Sequence, residues 1–131
     1  MSAPVFNPAT GAQQAELALG SIADVDAVVA SAVTAFESWR SSSLSTRASI
    51  MFKFRELMDA SRNELAELVS LEHGKVPSDA LGEIARGMEN VEFACGIPAL
   101  LKGEYSEQVT GGVDVYSLRQ PLGVVAGITP F

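Results

Sequence analysis

Cys95 is the sole cysteine of the chain and His73 its sole histidine, so nucleophilic or metal chemistry would have to begin with one of them. Neither is well placed for it. Cys95 continues an apolar helical stripe through Leu81, Ile84, Met88 and Val91, where a thiol packs as a small hydrophobe. His73 precedes Gly74, a natural helix stop, and suits the negative end of a helix better than the role of a base. One histidine makes no metal site, and none is expected. Gly74-Lys75 imitates the end of a phosphate loop, but Val69 and Val76 stand where that loop needs glycine and Ser or Thr. Gly123 and Gly127 do not complete a GxGxxG dinucleotide fingerprint.

Two other places remain as candidates. Arg86 has Glu83 and Glu89 three residues to either side, an arrangement that suits solvated surface pairing. The same arginine could instead hold its fork toward a cleft and take a carboxylate in two parallel hydrogen bonds, with Gly87 giving room and Phe93 an apolar wall. Spacing favours the surface pairing without excluding the fork. Thr129-Pro130-Phe131 closes an apolar run, and ligands of open parallel sheets gather beyond the carboxyl ends of strands. A plain proline turn would read the same way.

The elements that must position these residues follow from periodicity. Val5-Phe6 and Ala15-Leu17-Leu19 flank Asn7-Pro8-Ala9-Thr10-Gly11, which predicts a short hairpin. Val25, Val28, Val29, Ala32, Val33 and Phe36, with Trp39 beyond, predict an amphipathic helix capped by Ser21 or Asp24. Ser45 to Ala60 predicts a second helix with Ile50, Met51, Phe54, Leu57 and Met58 inward. Ser61 is expected to cap a third, with Glu64 at the capping-box position and Leu65, Leu68 and Val69 inward. The longest helix starts at Pro77 or Ser78 and ends or kinks between Gly96 and Pro98. Its internal Gly82 and Gly87 each cost about 1 kcal/mol relative to alanine, which predicts a close neighbour on a second covered face. Tyr105–Thr110 and Val113–Gln120 around Gly111-Gly112 predict a second hairpin, with a parity switch between Val115 and Tyr116 that suggests a bulge or a strand covered on both faces. Pro121 to Phe131 reads as a strand buried on both faces, the mark of a parallel sheet whose neighbours return through crossover helices. The class is therefore α/β, with this chain as the N-terminal part of something larger.

A net charge of −7 disfavours nucleic acid and anionic membrane surfaces as partners. No apolar stretch approaches the ~20 residues that span a bilayer. A single cysteine fits a reducing compartment, and the N-terminus matches neither a secretory signal nor a mitochondrial presequence, so a cytoplasmic location is expected.

NPATG (7–11), AFESWR (35–40), EHGK (72–75) and GVVAGITPF (123–131) together resemble the N-terminal part of the aldehyde dehydrogenase superfamily. Within it, ARGMENVEFACGIPALLKGEY (85–105) followed by DVYSLRQPLGVVAGITPF (114–131) is most similar to the CoA-acylating methylmalonate-semialdehyde dehydrogenases. The resemblance implies an aldehyde dehydrogenase-like fold, of which residues 1–131 would be the incomplete N-terminal part of the NAD-binding domain. It implies oxidation of methylmalonate or malonate semialdehyde with NAD, and transfer of the acyl group to coenzyme A as propionyl-CoA or acetyl-CoA. Thr129 and Phe131 match strand-end residues that contact NAD, and Arg86 matches an arginine that helps recognise the substrate carboxylate. Residues 104–120 match oligomerisation strands, so a homo-oligomer, dimeric or tetrameric, is implied. The family's cysteine nucleophile and catalytic glutamate belong to later segments. No catalytic residue is expected within this chain, which alone should be inactive. Two alternatives stand beside this reading: a hydrolytic semialdehyde dehydrogenase of the same superfamily, and a short non-catalytic module that pairs its hairpin with a full-length subunit.

Overall fold

The computed structural model describes residues 1–129. Strand β1 (Ser2–Phe6) pairs antiparallel with β2 (Gln13–Ala18). Their turn is built by Asn7, whose Oδ1 accepts the N–H groups of Ala9 and Thr10 at 2.8 and 3.0 Å, and by Gly11 at φ 71°. Helices follow as α1 (Ile22–Trp39), α2 (Leu44–Ala60), α3 (Arg62–His73), α4 (Pro77–Cys95) and the short α5 (Ile97–Leu100). A second hairpin joins β3 (Tyr105–Thr110) to β4 (Val113–Tyr116).

The helices begin where their caps dictate. At α1 the Ser21 hydroxyl accepts the Asp24 N–H at 3.2 Å while Asp24 accepts the Ser21 N–H at 2.7 Å, a reciprocal capping box. Ser43 caps α2 by accepting the Thr46 N–H at 3.1 Å. Ser61 is the exception to the expected pattern. It links α2 to α3 at φ −98°, ψ 12°, outside the extended region an N-cap side chain needs, and its hydroxyl caps nothing. Pro77 occupies the first turn of α4, where its missing N–H costs no hydrogen bond.

The core lies between α2, α3 and α4, with α5 against α2 and α4. Ala48, Ala66, Ala80, Met88 and Cys95 are its buried members, mostly small side chains that let helices approach closely. The α4 stripe packs as its period predicts, and Arg55 ties α2 to α4 through Glu92 at 2.9 Å. On α2 the expected face divides in two. Ala48 is buried and Met51 and Met58 are half-buried, Met58 beside Gly87 of α4, whereas Ile50, Phe54 and Leu57 form a separate stripe that stays exposed. Gly82 and Gly87 have no close neighbour here either: a Cβ on Gly82 would meet open space, and one on Gly87 would only touch Met58 at 3.9 Å.

The remaining expectations are revised at the C-terminal side. Leu122 to Thr129 form no strand ladder with any described residue, because a parallel strand acquires its hydrogen bonds only from neighbouring strands. The bulge of the second hairpin falls on β3 rather than β4. Pairing shifts between Ser106 and Thr110, where Gln108 takes φ 53°, and β4 ends at Tyr116. Of the two turn glycines, Gly112 takes the positive φ, 79°. Gly103 is obligatory at the hairpin base, since a Cβ there would collide with the Ser117 carbonyl oxygen.

Among the described residues, helix α1 packs against no other helix or strand. The total accessible surface is 10368 Å². A compact monomer of 13.8 kDa would expose only about 6,600 Å².

Candidate functional site

Arg86 lies on the exposed side of α4, away from the stripe that carries Met88 and Cys95. Its backbone carbonyl accepts the Asn90 side-chain amide at 2.9 Å, while its guanidinium forms no ion pair among the described residues. Surface pairing with Glu83 and Glu89 is therefore not what the structure shows. Glu83 is engaged elsewhere, by the ammonium of Lys75. That hydrogen bond holds the Glu83 carboxyl below the usual glutamate range, with smaller charge effects from Lys75, His73 and Arg86 in the same direction and partial burial opposing them.

The position of Lys75 traces back to two turns. Gly74 ends α3 in the left-handed region at φ 80°, with its N–H on the Ser70 carbonyl at 2.9 Å. Pro8 of the first hairpin turn sits against it, so closely that a Cβ at residue 74 would lie 3.1 Å from the Pro8 Cγ. The NPATG and EHGK segments thus meet in space. Sequence spacing could not reveal the Lys75–Glu83 pair, because it closes across a turn rather than along one helix.

Beside Val124 to Gly127 lies an apolar groove of about 530 Å³, whose other wall is α1 through Val25, Val28, Val29 and Ala32. Asp24 is the charged residue on its rim, and Ser21 holds that carboxyl below its ordinary range, first through its backbone N–H and then through its hydroxyl. With apolar side chains on both walls, the groove suits an apolar covering element. Neither Arg86 nor Thr129 is among its lining residues. Thr129 is exposed at the end of the extended segment, with no hydrogen bond to a described residue. The expected contact Phe131 lies outside the described residues.

Cys95 is buried at the end of α4 and His73 sits in the last turn of α3, the structural places their neighbours predict. No group of three metal-ligating side chains occurs among the described residues, and no helix there is long and apolar enough to cross a membrane. In the second hairpin, Asp114 accepts the Gln108 N–H at 2.9 Å and the Tyr105 hydroxyl at 2.8 Å. These bonds keep its carboxyl ionised below the usual range and raise the Tyr105 phenol above its own. Sequence reasoning missed this clamp, which only a bulged register brings together.

The model of the aldehyde dehydrogenase family matches residues 1–131. Malonate-semialdehyde dehydrogenase of Pseudomonas aeruginosa is 44% identical over 130 residues, covering 99% of this chain and 26% of the relative. Malonate-semialdehyde dehydrogenase 2 of Geobacillus thermodenitrificans is 48% identical over 127 residues, covering 97% of this chain and 26% of the relative. A Sinorhizobium meliloti 1021 structure described as a methylmalonate-semialdehyde dehydrogenase complexed with NAD superposes with TM-score 0.92 at 48% identity, over 99% of this chain and 26% of that one. Methylmalonate-semialdehyde dehydrogenase of Oceanimonas doudoroffii gives 0.88 at 46%, over 93% and 25%. The chain thus spans about a quarter of the length of these relatives. With the family model matching from end to end and the backbone following its solved members, the chain belongs to the aldehyde dehydrogenase family.

Proposed function

We propose that the chain is the N-terminal part of an NAD-dependent, CoA-acylating dehydrogenase that converts methylmalonate or malonate semialdehyde to propionyl-CoA or acetyl-CoA. The observation that carries this is the 44% and 48% identity, over nearly the whole chain, to malonate-semialdehyde dehydrogenases of two bacteria. An accessible surface more than half as large again as a compact monomer's supports the reading as a part, since the uncovered faces of α1, α2 and residues 122–128 require other chain segments against them.

Arg86 is assigned to the carboxylate that both semialdehydes carry, since a guanidinium without an internal partner keeps its planar fork available for two charge-assisted hydrogen bonds. Thr129 is assigned to NAD contact. Its backbone and hydroxyl, without a hydrogen bond to any described residue, fit a hydrogen-bonding cofactor group; Phe131 is assigned beside it on family resemblance. When bound, NAD would accept the hydride. The hairpin at 104–120 is assigned to subunit assembly, as its open edges and exposed Tyr105, Val109 and Tyr116 support. A cytoplasmic location follows from the same reading.

The test is kinetic, on the complete enzyme. NADH formation from methylmalonate semialdehyde should require CoA and yield a thioester; steady release of free acid without CoA would identify a hydrolytic dehydrogenase instead. Charge-assisted hydrogen bonds contribute about 1.5–3 kcal/mol. Arg86→Ala should therefore raise KM for semialdehyde acids roughly ten- to a hundredfold and leave propanal unaffected. Equal losses on both substrates would make Arg86 structural.

A further inference from the structure

We propose that Lys75 is a positioning residue for Arg86: by engaging Glu83 it keeps the neighbouring guanidinium open to a ligand carboxylate. The inference rests on the carboxylate-binding assignment of Arg86 and adds a determinant that touches no substrate.

Glu83 and Arg86 are neighbours at the i,i+3 spacing of α4, close enough to pair along the helix surface. Glu83 stands on the N-terminal side of Arg86, the favoured orientation for an acid–base helical pair; Glu89 stands in the reverse order. Glu83 is therefore the stronger internal competitor for Arg86. In the structure it is occupied by Lys75 instead, and Arg86 makes no ion pair among the described residues.

Lys75 is held for this purpose by backbone rather than by chance. It follows Gly74, whose left-handed conformation turns the chain from α3 toward α4, and Pro8 closes over that glycine. The Lys75 side chain is 26% exposed and that of Glu83 39%, so solvent screens the pair less than it would two freely exposed charges. Removing the Lys75 ammonium leaves an ionised Glu83 whose nearest unpaired cation on its own helix is Arg86. The helical pair that then forms occupies the fork, and its negative charge opposes an arriving carboxylate.

The experiment compares steady-state KM and kcat of the complete enzyme for methylmalonate semialdehyde and for propanal, in wild type, Arg86→Ala, Lys75→Met, Glu83→Gln and Lys75→Met/Glu83→Gln. Lys75→Met should raise KM for the acid about two- to fivefold, the range over which a partly exposed ion pair competes. Its kcat and both constants for propanal should not move. Glu83→Gln alone should not raise the acid KM, and in the double variant it should restore the wild-type value. An unchanged acid KM in Lys75→Met beside an acid-selective Arg86→Ala would refute the positioning role and leave the Arg86 assignment intact. Loss on both substrates without rescue would refute it too, marking Lys75 as a fold determinant. An Arg86→Ala enzyme that loses nothing selectively would overturn both.

Discussion

Ile128 and Leu122 offer a substitution whose effect should depend on how much of the family fold surrounds it. In this chain they are 99% and 95% exposed, although they sit in an apolar run that predicts burial on both faces. Replacing an exposed side chain away from caps and ion pairs changes stability by no more than about 0.5 kcal/mol. Ile128→Ser should therefore leave the urea midpoint of the 131-residue chain unmoved, read by helical circular dichroism of the α2–α4 bundle. In the complete enzyme the same residue should lie within a parallel sheet. There the substitution loses the aliphatic contacts, for which large-to-small changes cost about 2–5 kcal/mol, and buries a hydroxyl at a further cost of about 1–3 kcal/mol. A loss of roughly 3–8 kcal/mol is a large part of the roughly 5–15 kcal/mol that keeps a domain folded. Denaturation of both proteins, each against its Ile128→Ser variant, decides the matter. A loss in the short chain would show that residues 122–128 already pack there; indifference in the complete enzyme would show that the segment is surface, and the parallel-strand assignment would fall.

The Asp114 clamp makes the second hairpin sensitive to pH at both extremes. Because Asp114 has its carboxyl depressed from an ordinary 3.8, its contribution is present above that value and is lost as pH falls through the depressed one. Tyr105 has its phenol raised from 10.0, so its share is present below that value and is lost as pH rises through the raised one. Amide exchange at Gln108 should accordingly stay slow from about pH 5 to 9 relative to its intrinsic rate and lose protection at either end, with the acid limb absent in Asp114→Asn; an acid limb that survives the substitution would sink the clamp. At the helix starts, Ser43→Ala should cost about 1 kcal/mol in urea denaturation because its hydroxyl caps α2. Ser61→Ala should cost no more than about 0.5 kcal/mol, and equal losses at the two serines would contradict the uncapped start of α3.

Local chemistry was legible where a residue acts on its own neighbours. Asn7 and Gly11 build the first turn as their types require, Ser21 and Asp24 cap α1, and Gly74 stops α3 in the left-handed region. The α4 stripe was legible as well, since both helices that cover it belong to this chain. Legibility ended where an element has two apolar sides. Ile50, Phe54 and Leu57 are as hydrophobic as Met51 and Met58, so composition merges them into one face; only the place of α4 separates them. Ser61 has the right side chain for a cap and the wrong backbone, because α3 follows α2 without an extended residue between them.

The same limit explains why the candidate site could be read only in pieces. Arg86 was visible as a cation with two acidic neighbours, and helical spacing alone favoured pairing it with them. Its availability depends on Lys75, eleven residues earlier, and on a proline from the first hairpin that closes over Gly74. Such a dependence is long-range in sequence and short-range in space, which makes it testable by exchange of charge rather than by inspection of pattern. The uncovered surfaces follow the same logic. Hydrophobic side chains on α1, on the outer face of α2 and along residues 122–128 stay largely exposed among the described residues, although they are numerous. Exposed apolar surface is unfavourable in water unless another surface covers it, at roughly 25 cal/mol for each square ångström buried. Those faces therefore mark where the rest of the family fold must dock. Arg86 and Thr129, whose polar groups have no internal partner among the described residues, are where we propose that ligands rather than protein arrive.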